Sequence, residues 1–268
     1  MGYELVDGGK GLRCTKCGNT TYHPDDVKNK YCGYCREYVT GDSVVPIGPE
    51  WDMTLIGFVL DKSGSMAPHR ADAVSGFNFY LSQVKDYGKP AKLTLTLFDT
   101  AFKIVHDNVL LAAVPEMTPA DYVPDECTAL YDAVGHSVAV MEQEMIKHSK
   151  ARAVMVIFTD GEENSSREFS HQAIKELIAA KEAQSNWTFM YLSSALEGWR
   201  NGAGLGISPG NMANFNSSVS SGAICAAAYS TVRYLASNQG MTRAFTAANP
   251  GDYTAINAKI SNDTTDGK

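Results

Sequence analysis

No apolar run in this sequence approaches the roughly 20 residues that a bilayer-spanning helix needs, so no membrane role is expected. Basic charge is also short: 23 Lys and Arg stand against 30 Asp and Glu, a net charge of -7. Neutralising phosphates takes a basic surface, so no nucleic-acid partner is expected either. The opening residues Met1-Gly2-Tyr3-Glu4-Leu5 lack the basic start and apolar core of a secretory signal. Val6 stands where a myristoylation signal carries Ser or Thr. The expected compartment is therefore the cytoplasm, where the sequons at Asn164 and Asn186 carry no glycan. Catalytic signatures are missing as well: there is no phosphate-binding glycine loop, no His-x-x-x-His pair and no Ser-His-Asp order. Cysteine is sparse beyond residue 35, because four of the six fall within the first 35 residues. In a reducing compartment that clustering points to a metal rather than to disulfides.

What is present divides into a small and a large part. The 268 residues suffice for one large domain plus a small one, and 44% apolar content is ordinary for a globular chain. In residues 1–46, Cys14-x-x-Cys17 and Cys32-x-x-Cys35 form two pairs separated by fourteen residues. Each pair suits a tight knuckle, and together they supply the four thiolates of a structural Zn²⁺ ribbon. Two disulfides or four idle thiols are the alternatives. Gly18 and Gly33 stand where the knuckles turn, His23 reads as a loop residue, and so short a span must draw most of its folding free energy from the metal. Six basic and six acidic side chains cancel in this part, so a bound zinc leaves it slightly negative and suited to protein docking rather than to nucleic acid. The stretch Tyr22–Cys35 resembles small ribbons attached to bacterial and phage proteins. Val44-Val45-Pro46-Ile47-Gly48-Pro49 reads as a stiff connection, with residues 47–50 as the linker proper.

From residue 51 to 239 strand and helix patterns alternate. Leu55–Leu60 reads as a strand buried on both faces, followed by a helix starting near Ala67 with Ala73, Val74, Phe77, Leu81 and Val84 on one face. Lys92–Phe98 alternates strictly, which predicts a strand with one face less buried, and Phe102–Val109 is its hairpin partner. A helix carrying Leu130, Val134, Val138, Met141 and Met145, a strand at Ala153–Phe158, a helix at Ala173–Ile178 and a strand at Thr188–Leu192 follow. A short strand at Ala213–Asn216 and an Ala-rich helix at Ala226–Leu235 close the pattern. The fold class is α/β, a doubly wound and mostly parallel sheet with helices on both faces, whose ligands sit at the carboxyl ends of the strands. Residues 240–268 read as a polar tail, extended or disordered. Cys127 and Cys225 read as small core residues.

Three of those strand ends carry chemistry. Asp61-Lys62-Ser63-Gly64-Ser65 ends the first strand; alone, it is either a capped turn or a hard-cation loop. Thr128 precedes the helix at Leu130, and Thr159-Asp160-Gly161 ends the strand at 153–158. This set resembles a von Willebrand factor A domain with a metal-ion-dependent adhesion site, over about residues 50–236. The family joins a D-x-S-x-S loop, a lone Thr and the Asp of a T-D-G motif, which here are Asp61, Ser63, Ser65, Thr128 and Asp160. Ser193–Ala228 also looks like bacterial and phage members. The resemblance implies Mg²⁺ or Mn²⁺ touched by Ser63, Ser65 and Thr128, with Asp61 and Asp160 holding its waters and a partner's Asp or Glu carboxylate completing the shell. Cys127, where many relatives have Gly, is expected to tilt the Thr128 loop or narrow the metal face.

The function expected is thus a metal-dependent protein–protein interaction module with an auxiliary zinc ribbon, and not an enzyme. One alternative is a phage or prophage structural or assembly protein built on the same fold. A weaker one is a metal-dependent hydrolase using His69, Glu162 or Glu163 as its base.

Overall fold

The structure is a computed structural model, and it describes residues 3–6, 10–15, 17–29, 31–32, 37–38, 51–86, 90–160, 163–193, 196–214 and 220–236. Linker residues 47–50 and the tail 240–268 lie outside this set. The chain divides into two compact units, one containing Met1–Glu50 and the other Trp51–Val232.

In the first unit β1 (Tyr3–Val6), β2 (Gly11–Cys14) and β3 (Thr20–Thr21) form an antiparallel sheet in that order. A short helix α1 (Pro24–Asn29) leads to a two-stranded ladder of β4 (Tyr31–Cys32) and β5 (Glu37–Tyr38). Among its described residues the buried core is built on Leu12, Cys14 and Cys32 with Tyr3, Cys17 and Val27 against them.

The second unit is organised around β6 (Met53–Asp61), which is buried along both faces from Thr54 onward. It pairs in parallel with β7 (Ala91–Phe98) on one side and β9 (Ala151–Thr159) on the other. Beyond β9 lie β10 (Trp187–Ser193) and β11 (Met212–Asn214), also parallel. Beyond β7 lies the antiparallel edge strand β8 (Phe102–Leu110), giving the order β11-β10-β9-β6-β7-β8. The chain thus winds outward from β6 through β7 and β8, then returns to β9 and winds the other way. The doubly wound sheet with one antiparallel edge is the expected fold class.

Residues Leu55, Gly57 and Val59 of β6 face α3 (Leu130–Met145) and, beside it, α4 (His171–Ala183), whose Ile174 and Ile178 join the same core. Gly57 is there for close approach: a Cβ at this position would sit 2.6 Å from Met141 Sδ. On the opposite face Phe58 meets Phe77 and Tyr80 of α2 (Arg70–Asp86) edge to face, at 5.2 and 5.1 Å. The Tyr80 hydroxyl reaches Thr231 of α6 (Ser220–Ala236) at 3.0 Å.

Several expectations need correction. The alternating β7 is buried on both faces, with Thr94 and Thr96 as inaccessible as its leucines. Thr96 shares a hydrogen bond with Ser137 of α3 (2.7 Å) and Thr94 with Asn108 (3.2 Å), so hydroxyls tolerate burial there. The half-exposed alternation belongs to the edge strand β8. The helix placed near Ala67 begins instead as a 3₁₀ turn over Gly64–His69 containing Pro68, and α2 starts at Arg70. Helix α5 (Leu196–Gly204) was not anticipated, because Gly198, Gly202 and Gly204 depress helix propensity. Gly202 lets the helix close on the Tyr191 ring, 2.9 Å from where a Cβ would stand. Cys127 is exposed rather than a core residue, while the side chain of Cys225 lies outside the description. No described helix is long and apolar enough to cross a membrane.

Candidate functional site

At the point where the winding reverses, the carboxyl ends of β6 and β9 lie side by side, which is where an open α/β sheet leaves its crevice. Asp61 ends β6 and is fully buried. One of its carboxylate oxygens accepts the Ser63 N–H at 2.7 Å, and the other accepts the Thr159 hydroxyl at the end of β9. Its backbone carbonyl accepts the hydroxyl of Tyr122. The Ser63 and Ser65 hydroxyls are 3.1 Å apart, and Ser65 donates to the Asp160 carboxylate at 2.8 Å. Four of the five candidate oxygen residues are therefore joined through one set of hydrogen bonds.

Thr128 lies on a loop fastened to both others. Gly64 N–H donates to the Glu126 carbonyl (3.0 Å) and Asp125 N–H to that of Lys62 (2.8 Å), so the loop lies against Asp61–Ser65. On its other side Thr128 N–H donates to Asn164 Oδ1 (2.9 Å), and the N–H groups of Asn164 and Ser165 donate to the Thr128 carbonyl (3.0 and 3.1 Å). The residue with a left-handed backbone here is Glu126, at φ 61°, and the Cys127 thiol points to solvent. Lys62 pairs with Asp99, whose carbonyl accepts the Ala129 N–H at 2.6 Å, so the end of β7 also braces the cluster.

The electrostatics are those of a site built for positive charge. Burial pushes the Asp61 carboxyl up to about 6, against the opposing hydrogen bonds from Thr159 and Ser63; the neighbouring Asp160 charge adds to the rise. Asp160 is raised as well, again by burial, with the Ser65 hydroxyl and the charge of His69 pulling it down. A buried and a half-buried carboxylate that pay for ionisation, beside two hydroxyls, form an all-oxygen set that fits a hard divalent ion such as Mg²⁺ or Mn²⁺.

Sequence reasoning missed the residues that hold this set. Thr159 was in view only as a letter of the T-D-G motif, whose Gly161 lies outside the described residues. Tyr122, Asn164 and Glu163 gave no signal as supports. Glu163 is saturated: its carboxylate accepts the N–H groups of Tyr131 (3.0 Å), Ser165 (2.9 Å) and Ser166 (2.6 Å) and the Ser166 hydroxyl (2.7 Å). Glu162 lies outside the described residues.

In the first unit the ligand atoms of Cys14, Cys17 and Cys32 lie within 4.8 Å of one another, and Cys17 Sγ is 3.5 Å from Cys32 Sγ. A tetrahedral zinc with bonds of about 2.3 Å sets its sulfurs about 3.8 Å apart, so these three can hold a metal ion such as zinc. The first knuckle turns where Gly18 N–H meets the Cys14 carbonyl at 2.8 Å, with Gly18 at φ 73°, a left-handed conformation that needs glycine. Cys35 and Gly33 lie outside the described residues.

No model of a protein family matches the chain, and no curated protein does. Solved structures are similar in fold. The pilus adhesin SpaC from Lactobacillus rhamnosus GG, in an open conformation, overlays with a TM-score of 0.54 at 12% identity, over 70% of this chain and 30% of that one. Proximal thread matrix protein 1 from the mussel byssus overlays at 0.50 and 14%, over 69% and 47%. A von Willebrand factor type A structure from Catenulispora acidiphila overlays at 0.49 and 11%, over 69% and 42%. The chain spans less than half the length of these three structures, and its likeness to the adhesin and the matrix protein is one of fold.

Proposed function

We propose that this chain is a von Willebrand factor A module that binds a protein partner through Mg²⁺ or Mn²⁺, held by Asp61, Ser63, Ser65, Thr128 and Asp160. The observation that carries the reading is the convergence of Asp61, Ser63, Ser65 and Asp160 at the switch point, with both carboxyls raised by burial. A cation there favours the ionised carboxylates and supplies a Lewis-acidic position for an incoming carboxylate. The chain's own residues hold and orient that position, and uncharged hydroxyls leave the ion electrophilic toward an Asp or Glu of the partner. That two neighbours of the same fold are a pilus adhesin and a matrix protein accords with a binding role.

Of the three groups weighed as a hydrolytic base, Glu163 is committed to four donors, His69 lends its charge to Asp160, and Glu162 lies outside the described residues. The module is proposed to be non-enzymatic. The cysteine unit is proposed to hold zinc through Cys14, Cys17, Cys32 and Cys35 and to serve stability or docking; a metal held by thiolates suits a reducing, cytoplasmic setting.

Isothermal titration of Mg²⁺ tests the reading. One ion is expected to bind wild type, and Asp160→Ala to weaken it about tenfold or more. A peptide with one Glu should then bind only with Mg²⁺ present, and its Gln counterpart not at all. Wild type that takes up no ion, or peptide binding unchanged in Asp160→Ala, refutes the proposal.

A further inference from the structure

We propose that Asn164 is the positioning residue for Thr128, setting the Thr128 hydroxyl for the cation through that residue's backbone rather than by touching the ion. The proposal rests on the cation reading above. Its basis is a reciprocal clasp. Asn164 Oδ1 accepts the Thr128 N–H at 2.9 Å, while the Asn164 and Ser165 N–H groups donate to the Thr128 carbonyl at 3.0 and 3.1 Å. Both backbone polar groups of Thr128 are thus taken by one short stretch of another loop.

That stretch is itself immobilised. On either side of it, Glu163 Oε2 and Ser166 Oγ accept the Tyr131 N–H at the start of α3, each at 3.0 Å, and Ser166 Oγ also accepts that of Asp132 at 3.1 Å. In return, Asp132 accepts the N–H groups of Arg167, Glu168 and Phe169 at 2.8, 3.0 and 2.8 Å. Ala129, the residue before α3, provides no side-chain cap, so these groups from a distant loop satisfy the open helix end. Upstream, the loop leaves β9 through Asp160, which takes the Ser65 hydroxyl. With both ends held, the remaining freedom lies in the Thr128 peptide, and Asn164 removes it. Thr128 is only 3% exposed, so water replaces a lost acceptor poorly. Asn164 lies at the surface, so trimming it leaves no cavity. The effect then runs through the hydrogen bond.

The test compares wild type with Asn164→Ala, Asn164→Asp, Thr128→Ala and the Asn164→Ala/Thr128→Ala double variant, using the full chain. Two quantities are read: Mg²⁺ affinity by calorimetry, and hydrogen exchange of the Thr128 amide in the metal-free protein. Asn164→Ala should lower Mg²⁺ affinity about tenfold, as loss of an orienting partner does, and speed Thr128 exchange. Asn164→Asp keeps the acceptor and should preserve slow exchange and Mg²⁺ binding. In the Thr128→Ala background the further loss on Asn164→Ala should vanish, since the two act as one unit. Wild-type affinity and exchange in Asn164→Ala, or fully additive losses in the double variant, overturn the proposal while leaving the cation site standing. Wild type that binds no Mg²⁺ overturns both readings, and the exchange data then report only whether the clasp holds the loop.

Discussion

The two units meet the same problem, a cluster of candidate metal-ligating side chains on a stable frame, from opposite directions. In the first unit the candidate ligands are part of the core: Cys14 and Cys32 are buried beside Leu12, and few other apolar side chains join them among the described residues. In the second, a sheet covered on both faces supplies the stability, with Asp61 at the end of β6 and Ser63, Ser65, Thr128 and Asp160 on loops at its rim. Ligands that double as core must bind for the unit to fold; ligands on a finished frame can be kept poised at a cost in stability. The raised carboxyl of Asp61 is that cost made visible.

The sharpest way to break this comparison is to remove metal from the first unit. Cys17→Ser, or a zinc chelator, should unfold residues 1–38 outright, because structural zinc contributes on the order of 10 kcal/mol to such small units. Melting of the Trp51–Val232 unit should stay unchanged, read by amide exchange or proteolysis. If the first unit keeps its protection without metal, the contrast fails.

A smaller effect probes the frame of the second unit. Gly57→Val places carbon against Met141 Sδ and should cost about 2 kcal/mol by overpacking, measured by urea unfolding. Mg²⁺ affinity, normalised to folded protein, should hardly move, since the site lies at the strand ends rather than at mid-strand.

The smallest effect is the most diagnostic. Asp61 titrates higher when folded than the ordinary 3.8, so its contribution to stability is full below that value and is lost as pH rises through about 6. Metal-free protein should therefore become less stable between pH 4 and 7, while the Mg²⁺-induced rise in Tm should grow over the same interval. Asp61→Asn should flatten both trends, abolish the Mg²⁺ response, and raise the metal-free Tm at pH 7 by a few degrees. Thermal melts across pH check this; a drop in metal-free Tm refutes the idea that the site is held at a cost.

Much of the fold was legible because burial in a doubly wound sheet leaves unambiguous marks. The apolar run of β6 and the heptad-like spacing of α3 required no partner to be read. The Lys92–Phe98 strand misled because its alternating Thr residues resemble a solvent face, yet Ser137 and Asn108 satisfy them inside. Helix α5 was hidden by three glycines whose purpose, at Gly202, is contact with Tyr191. At the candidate site, the five oxygen-bearing residues and their order were readable, whereas the supporting contacts of Thr159, Tyr122, Glu163 and Asn164 were not. Supporting residues act on backbone groups far away in sequence, and such pairings have no fixed spacing.

The sequence by itself determined the order of most elements, the thiol spacing of the small unit and the set of hard oxygen groups after two strands and before one helix, because periodicity and ligand chemistry are local properties of the chain. Only the tertiary structure decided that β6 and β9 are neighbours, that Asp61 is buried with its carboxyl raised, and that Thr128 is clasped by Asn164. Those depend on strand order and on the low dielectric between packed layers, which no stretch of residues specifies alone.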